Sequence, residues 1–259
     1  DNNISLHHLF SSTMIGYFGN GILFFRLGEV LKAYSIAQNN KITPSESFGV
    51  IMLERIIDAL TVLLFLFVFL PWIPTENKTI RYWVIAFVAV TLFFLLIIFI
   101  LKFINWKKSI SSMSFISHSI RNATISIIGK IFNGIDAIIK TKHIGGIIVS
   151  TVLIWICYFL MTIWLLESCQ IYLTLSGNFI ILLMGAIIIA VPALPGGLGT
   201  YEAGITFTLM LLFAVTKDEA LTYAIVSHSS NYIPYLVIGS IYFINSGLKI
   251  KDINNNEKI

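Results

Sequence analysis

From Ile147 to Leu166 the chain runs for twenty residues without a charged side chain; Val84 to Leu101 has the same character, and Ile56 to Leu70 is broken only by Asp58. About 20 apolar residues in a helix match the hydrocarbon thickness of a bilayer, so runs of this kind restrict the chain to lipid. Composition agrees: 57% of the 259 residues are hydrophobic and 12% are charged, against roughly 25% charged in soluble domains. The expected fold class is an all-α polytopic membrane protein. Its apolar segments fall at about 9–25, 47–70, 80–101, 145–166, 178–194, 203–216 and 221–246.

The net charge of +4 does not point to nucleic acid, because the basic residues lie between apolar segments, where they set orientation. The stretch 102–144 carries Lys102, Lys107, Lys108, Arg121, Lys130, Lys140 and Lys142 against one acid, Asp136. By the positive-inside rule it is a cytoplasmic linker between two halves of a single transmembrane domain, 1–259. Within it, Ile127, Ile128, Ile131, Ile135, Ile138 and Ile139 recur at helical spacing beside Lys130, Asp136 and Lys140. Two readings stand: an amphipathic helix at headgroup level, or an ordinary linker helix. Counting outward from this anchor, 71–79 and 167–177 lie outside and the tail with Lys249, Lys251 and Lys258 lies inside. The expected location is integral to the cytoplasmic (inner) membrane, with a cytoplasmic carboxyl terminus. The chain starts at Asp1 with no basic leader before the first apolar segment, which suggests a shortened or processed amino terminus with further helices upstream.

Inside this apolar background lies a glycine-rich break, Pro195-Gly196-Gly197-Leu198-Gly199-Thr200-Tyr201-Glu202. Proline and glycine interrupt the backbone hydrogen bonding that hydrocarbon makes compulsory, and a buried carboxylate adds a second cost. The segment after the break, 203–216, is short for a full crossing, which favours a re-entrant hairpin over two spans. A similar break follows Leu9 to Phe25, at Arg26-Leu27-Gly28-Glu29. At a constant offset of 173 residues Glu29 falls on Glu202, Glu46 on Glu219, Arg55 on His228 and Asp58 on Asn231. Two broken segments at matching places, one entering from each side, would form an inverted repeat with a site near the midplane.

The residues of that site follow from chemistry. Glu29 and Glu202 at bilayer depth each need a cationic partner or a watered cavity, and Arg55 and His228 are the partners at matching places. Arg55 can hold a carboxylate or a phosphate in bidentate fashion, and Arg26 lies in the first break. Backbone amides freed at Gly196, Gly197 and Gly199 suit a phosphate headgroup. Each feature also has a plain structural account. Glu202 in a first helical turn is favoured by the helix dipole without any ligand. Glu54, Arg55 and Asp58 could lie at the interface, and His228 could be a buried histidine satisfied by Ser229, Ser230 or Asn231. Gly16, Gly19 and Gly21 are expected to permit close helix packing, the tryptophans to anchor at the interfaces, and His7 and His8 to be solvated. Cys157 and Cys169 have no partners at ligand spacing, so neither a metal nor a cofactor is expected.

Four motifs in order, Arg26-Leu27-Gly28-Glu29, Pro44-Ser45-Glu46, Leu53-Glu54-Arg55-Ile56-Ile57-Asp58 and Leu194 to Glu202, resemble the flippase-like transmembrane region of lysylphosphatidylglycerol synthases and their stand-alone relatives. The resemblance runs over nearly the whole chain from about residue 10. It implies a lipid-handling protein, in some members a flippase for an aminoacylated phospholipid, with a phospholipid or lipid-linked substrate as cargo and a lipid-modifying enzyme as partner. His228 stands where the family often has arginine, and nothing in these residues supports aminoacyl transfer, so the cargo stays open. Serine-hydrolase elbow, zincin, P-loop, dinucleotide-binding and Asp-x-Asp patterns are missing from the sequence, which disfavours an enzyme. A membrane enzyme or accessory subunit acting on phospholipid- or polyprenyl-linked substrates is the alternative, and a non-transporting envelope-assembly partner is a third.

Overall fold

Apolar stretches rich in Leu, Ile and Phe, cut by Gly and Pro, produce helices that stop where the backbone is forced out of register. The computed structural model describes residues 4–38, 40, 42–69, 143–191 and 194–248, together with isolated helical positions between 82 and 129. Among the described residues the chain is all-helical: α1 (Leu6–Ile22), α2 (Gly28–Ala37), α3 (Pro44–Phe69), α4 (Ile144–Ser168), α5 (Leu175–Ala190), α6 (Thr200–Phe213) and α7 (Lys217–Ser246), with 3-10 turns at Phe24–Arg26 and Pro195–Gly197. Six of the seven apolar segments correspond to helices, and α2 adds one in the return stretch after the first break. The segment 80–101, the loop 71–79, the basic stretch with its amphipathic pattern and the basic tail lie outside the described residues, apart from isolated positions.

The chain divides into two compact units, residues 1–48 with 149–259 and residues 49–148. In the first, α1 packs on α2 and α7, α7 on α6, and α6 on α5. Its apolar centre is built from Leu166 and Ile171, Ile181 of α5, Ile205 and Leu209 of α6, and Ala220, Tyr223 and Ala224 of α7. Among the described residues α4 is the one helix that combines a spanning length, 25 residues, with a sufficiently apolar composition.

Helix lengths separate the elements into two kinds. α1, α2, α5 and α6 hold 17, 10, 16 and 14 residues, short of the ~20 needed to cross hydrocarbon, whereas α3 and α7 hold 26 and 30. The order short helix, 3-10 turn, short helix, long helix occurs twice, as α1–α2–α3 and as α5–α6–α7. The start of the long helix is built identically in both. Thr43 N–H donates to Glu46 Oε2 at 2.8 Å while Glu46 N–H donates to Thr43 Oγ1 at 3.2 Å. Thr216 and Glu219 repeat this capping box at 3.3 and 3.4 Å, and both residues stand 173 positions further on. Part of the polar match between the halves is therefore helix capping, which satisfies otherwise orphaned N–H groups.

Close approach of α1 and α2 depends on glycine. A Cβ at Gly28 would lie 2.1 Å from the Gly16 carbonyl oxygen and 2.3 Å from Asn20 N, so the two backbones meet there. The buried Ser12 and Ser35 hydroxyls share a hydrogen bond of 2.9 Å across the same pair. Gly21 and Gly239 open the α1–α7 crossing, facing Leu236 and Tyr232 in one case and Met14 and Phe18 in the other. The glycines thus serve packing, as expected. Trp155 departs from the interfacial expectation: it is buried, edge-on to Tyr158. His7 is exposed and His8 half-buried, and both line an open cavity of about 360 Å³ with Ser11, Ser35, Gln38 and Tyr242.

Candidate functional site

Two hairpins, α1–α2 and α5–α6, converge on the middle of α7 from its two ends. The open end of the first lies at the carboxyl end of α7: Gln38 Nε2 donates to the Ser246 carbonyl at 2.9 Å, and the His7 ring is edge-on to Tyr242. The open end of the second, where Gly177 of α5 faces Phe213 of α6, adjoins the amino end of α7 through residues 214–216. The closed ends, the 3-10 turns Phe24–Arg26 and Pro195–Gly197, lie against one another.

Tyr232, at the midpoint of α7, touches both closed ends. Its hydroxyl donates to the Gly21 carbonyl at 3.0 Å, and a Cβ on Gly196 would lie 2.3 Å from its ring. Gly196 has φ +62°; only a residue without Cβ fits both the left-handed backbone and the ring above it. Gly197 and Gly199 are also left-handed, at φ +73° and +78°. In the first turn the left-handed positions are Phe25 and Arg26, at φ 55° and 56°, where L residues carry strain of roughly 1–2 kcal/mol each. Arg26 and Gly199, both left-handed, are again 173 residues apart.

His228 and Glu202 form the polar centre. His228 Nδ1 lies 2.6 Å from Glu202 Oε1, and its Nε2 lies 2.9 Å from the Gly196 carbonyl oxygen. The imidazole is 7% exposed and the carboxylate 20%. The other carboxylate oxygen accepts the Gly199 N–H at 2.7 Å. Glu202 therefore caps its own helix and is also hydrogen-bonded to the histidine of α7, so the helix-start role and the contact with His228 occur together. His228 is not satisfied by Ser229, Ser230 or Asn231: a neighbouring helix and turn supply its partners. Tyr201 and Tyr232 flank the imidazole at ring distances of 4.8 and 5.4 Å, and Tyr201 Oη lies 3.3 Å from Ser227 Oγ. Tyr201, Ser227 and Tyr232 carry no signal in sequence, since tyrosine and serine are common in such helices; only their spacing from Glu202 and His228 could have drawn notice.

The first hairpin places Glu29 in the first turn of α2, 8% exposed, where Asn20 Nδ2 donates to it at 3.4 Å. Lys32, one turn on, is equally buried, its Cβ against Gly16. A helix amino terminus favours the carboxylate. Asn231 lies one turn beyond His228, but its amide donates back to the Ser227 carbonyl at 3.0 Å. Arg55 and Asp58 belong to the second unit, on α3, where Arg55 bonds Glu54 and, at 3.3 Å, Asp58.

No curated protein and no solved structure matches the chain. A family model, that of the lysylphosphatidylglycerol synthase TM region, matches residues 1–239. The chain belongs to that family, a membrane region linked to lipid handling.

Proposed function

We propose that the chain is a lipid translocator of the cytoplasmic membrane, moving a phospholipid or lipid-linked headgroup between leaflets, with its carboxyl terminus in the cytoplasm. The observation that carries this reading is the meeting of two broken hairpins, approached from opposite ends of α7, at the midpoint of that helix. Hairpins too short to span, ending where charged and left-handed residues gather, suit a pathway at mid-depth whose two mouths face opposite leaflets. In this reading the hairpins are re-entrant, the first from the cytoplasmic side and the second from outside, as an inverted repeat.

The headgroup chemistry divides by residue. The Gly196 amide favours a phosphate, joined by those of Gly197 and Gly199 only where they leave the Leu194 carbonyl and Glu202 that hold them in the structure, while Glu29 and Glu202 favour a cationic group. His228 and Asn231 line the α7 side, and Arg26 adds a fork of donors at the first turn. Arg55 is assigned a phosphate contact on its own guanidinium chemistry, with Asp58 orienting it. A lipid-modifying enzyme is the natural partner, supplying the cargo.

The test is lipid analysis of the protein purified from its membrane, beside an Arg55→Lys variant that keeps the charge but loses the planar fork. The reading predicts enrichment of a phosphate-bearing lipid over the bulk membrane, reduced in the variant. Co-purified lipid that mirrors the bulk membrane in both would contradict it.

A further inference from the structure

We infer that His228 and Glu202 form a proton-binding site whose proton holds the second hairpin's turn against α7, and whose loss releases it. The inference deepens the translocation reading, on which it rests only for what a released turn does to lipid.

The argument is one of donors and acceptors. The Gly196 carbonyl can only accept, so His228 Nε2, 2.9 Å away, carries a hydrogen. The contact of 2.6 Å between Nδ1 and Glu202 Oε1 then needs a second proton, on the imidazole if the carboxylate is ionised or on the carboxyl if the imidazole is neutral. Either way the bridge holds one proton more than a neutral histidine and an ionised glutamate bring. When that proton leaves, one hydrogen remains for two contacts. Kept on Nε2, it sets the Nδ1 lone pair against a carboxylate; moved to Nδ1, it sets the Nε2 lone pair against the carbonyl. One end of the bridge must open. The pair titrates as a unit, so the proton belongs to neither residue alone.

Among the described contacts of the pair, none supplies a replacement for the lost proton. From α6 it faces Tyr201 and Glu202 itself; from α7, Tyr232, whose hydroxyl is held by the Gly21 carbonyl, and Ser227; from the turn, the Gly196 carbonyl; and the first turn, which lies against Pro195–Gly197, brings the charged Arg26. The second carboxylate oxygen is held by Gly199 N–H. The turn is poised for release because it runs through left-handed Gly196 and Gly197 and bonds mainly to itself, Gly197 N–H to Leu194 and Leu198 N–H to Pro195. The sign follows from the chemistry: the proton is bound more tightly in the closed arrangement, where it bridges two acceptors, than in the open one, so closure is favoured at low pH and lost as pH rises through the titration of the closed pair.

Glu202→Gln separates this mechanism from an ordinary ion pair. The glutamine Nε2 can donate to His228 Nδ1 and its Oε1 can accept from Gly199 N–H, reproducing the protonated carboxyl with a neutral histidine. The experiment is hydrogen–deuterium exchange of the full chain in lipid nanodiscs across the titration of His228, followed by ¹⁵N-histidine NMR, with rates corrected for intrinsic base catalysis. For the parent protein, exchange in the 194–202 segment should rise roughly tenfold on the alkaline side, as expected for one lost hydrogen bond. In Glu202→Gln it should stay slow at every pH. Protection that is flat with pH in the parent protein, or a pH dependence in Glu202→Gln that follows the parent, overturns the proton site. Lipid exchange measured on the same samples is read separately: pH-controlled release without lipid movement would leave the proton site standing and remove the translocation reading.

Discussion

At the scale of single residues, Gly196 and Gly199 show how similar backbone angles impose different demands. Both have positive φ, but a Cβ at Gly196 would strike the Tyr232 ring at 2.3 Å, while one at Gly199 meets nothing within 4 Å. Gly199→Ala should cost only backbone strain, at least about 1–2 kcal/mol because φ 78° with ψ −40° lies outside the left-handed helical basin. Gly196→Ala should cost more, because the turn or the ring must move, and it should disturb the His228 bridge. Thermal unfolding in detergent checks the order; equal losses for the two would show that the Tyr232 contact is unimportant. Glu29, Glu202 and His228 were legible in the sequence because a charge or an imidazole in an apolar run is costly and therefore visible. Their partners are only partly so: the imidazole of His228 is visible as a partner for Glu202, but Gly196 O, Tyr232 and Ser227 give no sequence signal, since they act through backbone angle, ring contact and a hydroxyl bond. Asn231 matched Asp58 at the repeat offset, yet its amide is used on its own helix.

Among the elements, the long helices α3 and α7 start with the same capping box, and their first turns are exposed enough to test without entering the site. Thr216→Ala removes a side-chain acceptor from the α7 amino terminus and should cost about 1 kcal/mol, as should Thr43→Ala at α3. Circular dichroism melts of each variant would measure this, and a loss below a few tenths in both would mean that lipid or water replaces the cap. The offset that aligned Glu46 with Glu219 is explained here by helix initiation and not by a binding role. Helix existence was largely readable from apolar runs. Helix ends are less so: the first apolar run continues to Phe25, but α1 stops at Ile22 because Leu23 is extended, at φ −103° and ψ 146°, after which the left-handed Phe25 and Arg26 turn the chain. Nothing in the residue types announces left-handed angles at phenylalanine and arginine. The return helix α2 is not legible as a helix because ten residues with Glu29 and Lys32 do not form an apolar run.

For the whole molecule, the opposed hairpins define the topology that the proposal requires. Positions near the open end of the first hairpin, such as Asn40, should react from the cytoplasmic side, and positions at the start of α7, such as Lys217, from outside. Single-cysteine variants at these two sites, made with Cys157 and Cys169 replaced and labelled with a membrane-impermeant maleimide in oriented vesicles, would test this. Labelling of both from the same side would contradict the inverted arrangement. The sequence pointed to two matched breaks because proline, glycine and charge are conspicuous in apolar surroundings. It could not show that both meet at the midpoint of α7, since that depends on the antiparallel packing of α1 on α7 through Gly21 and Gly239. The central claim is movement of lipid between leaflets, and reconstitution into vesicles carrying fluorescent phospholipids in one leaflet addresses it most directly. The account predicts faster leaflet exchange than in protein-free vesicles for at least one phosphate-bearing headgroup, abolished by Glu29→Gln or Glu202→Gln in folded protein. Exchange no faster than in protein-free vesicles for every headgroup offered, or exchange unchanged in both variants, would contradict it.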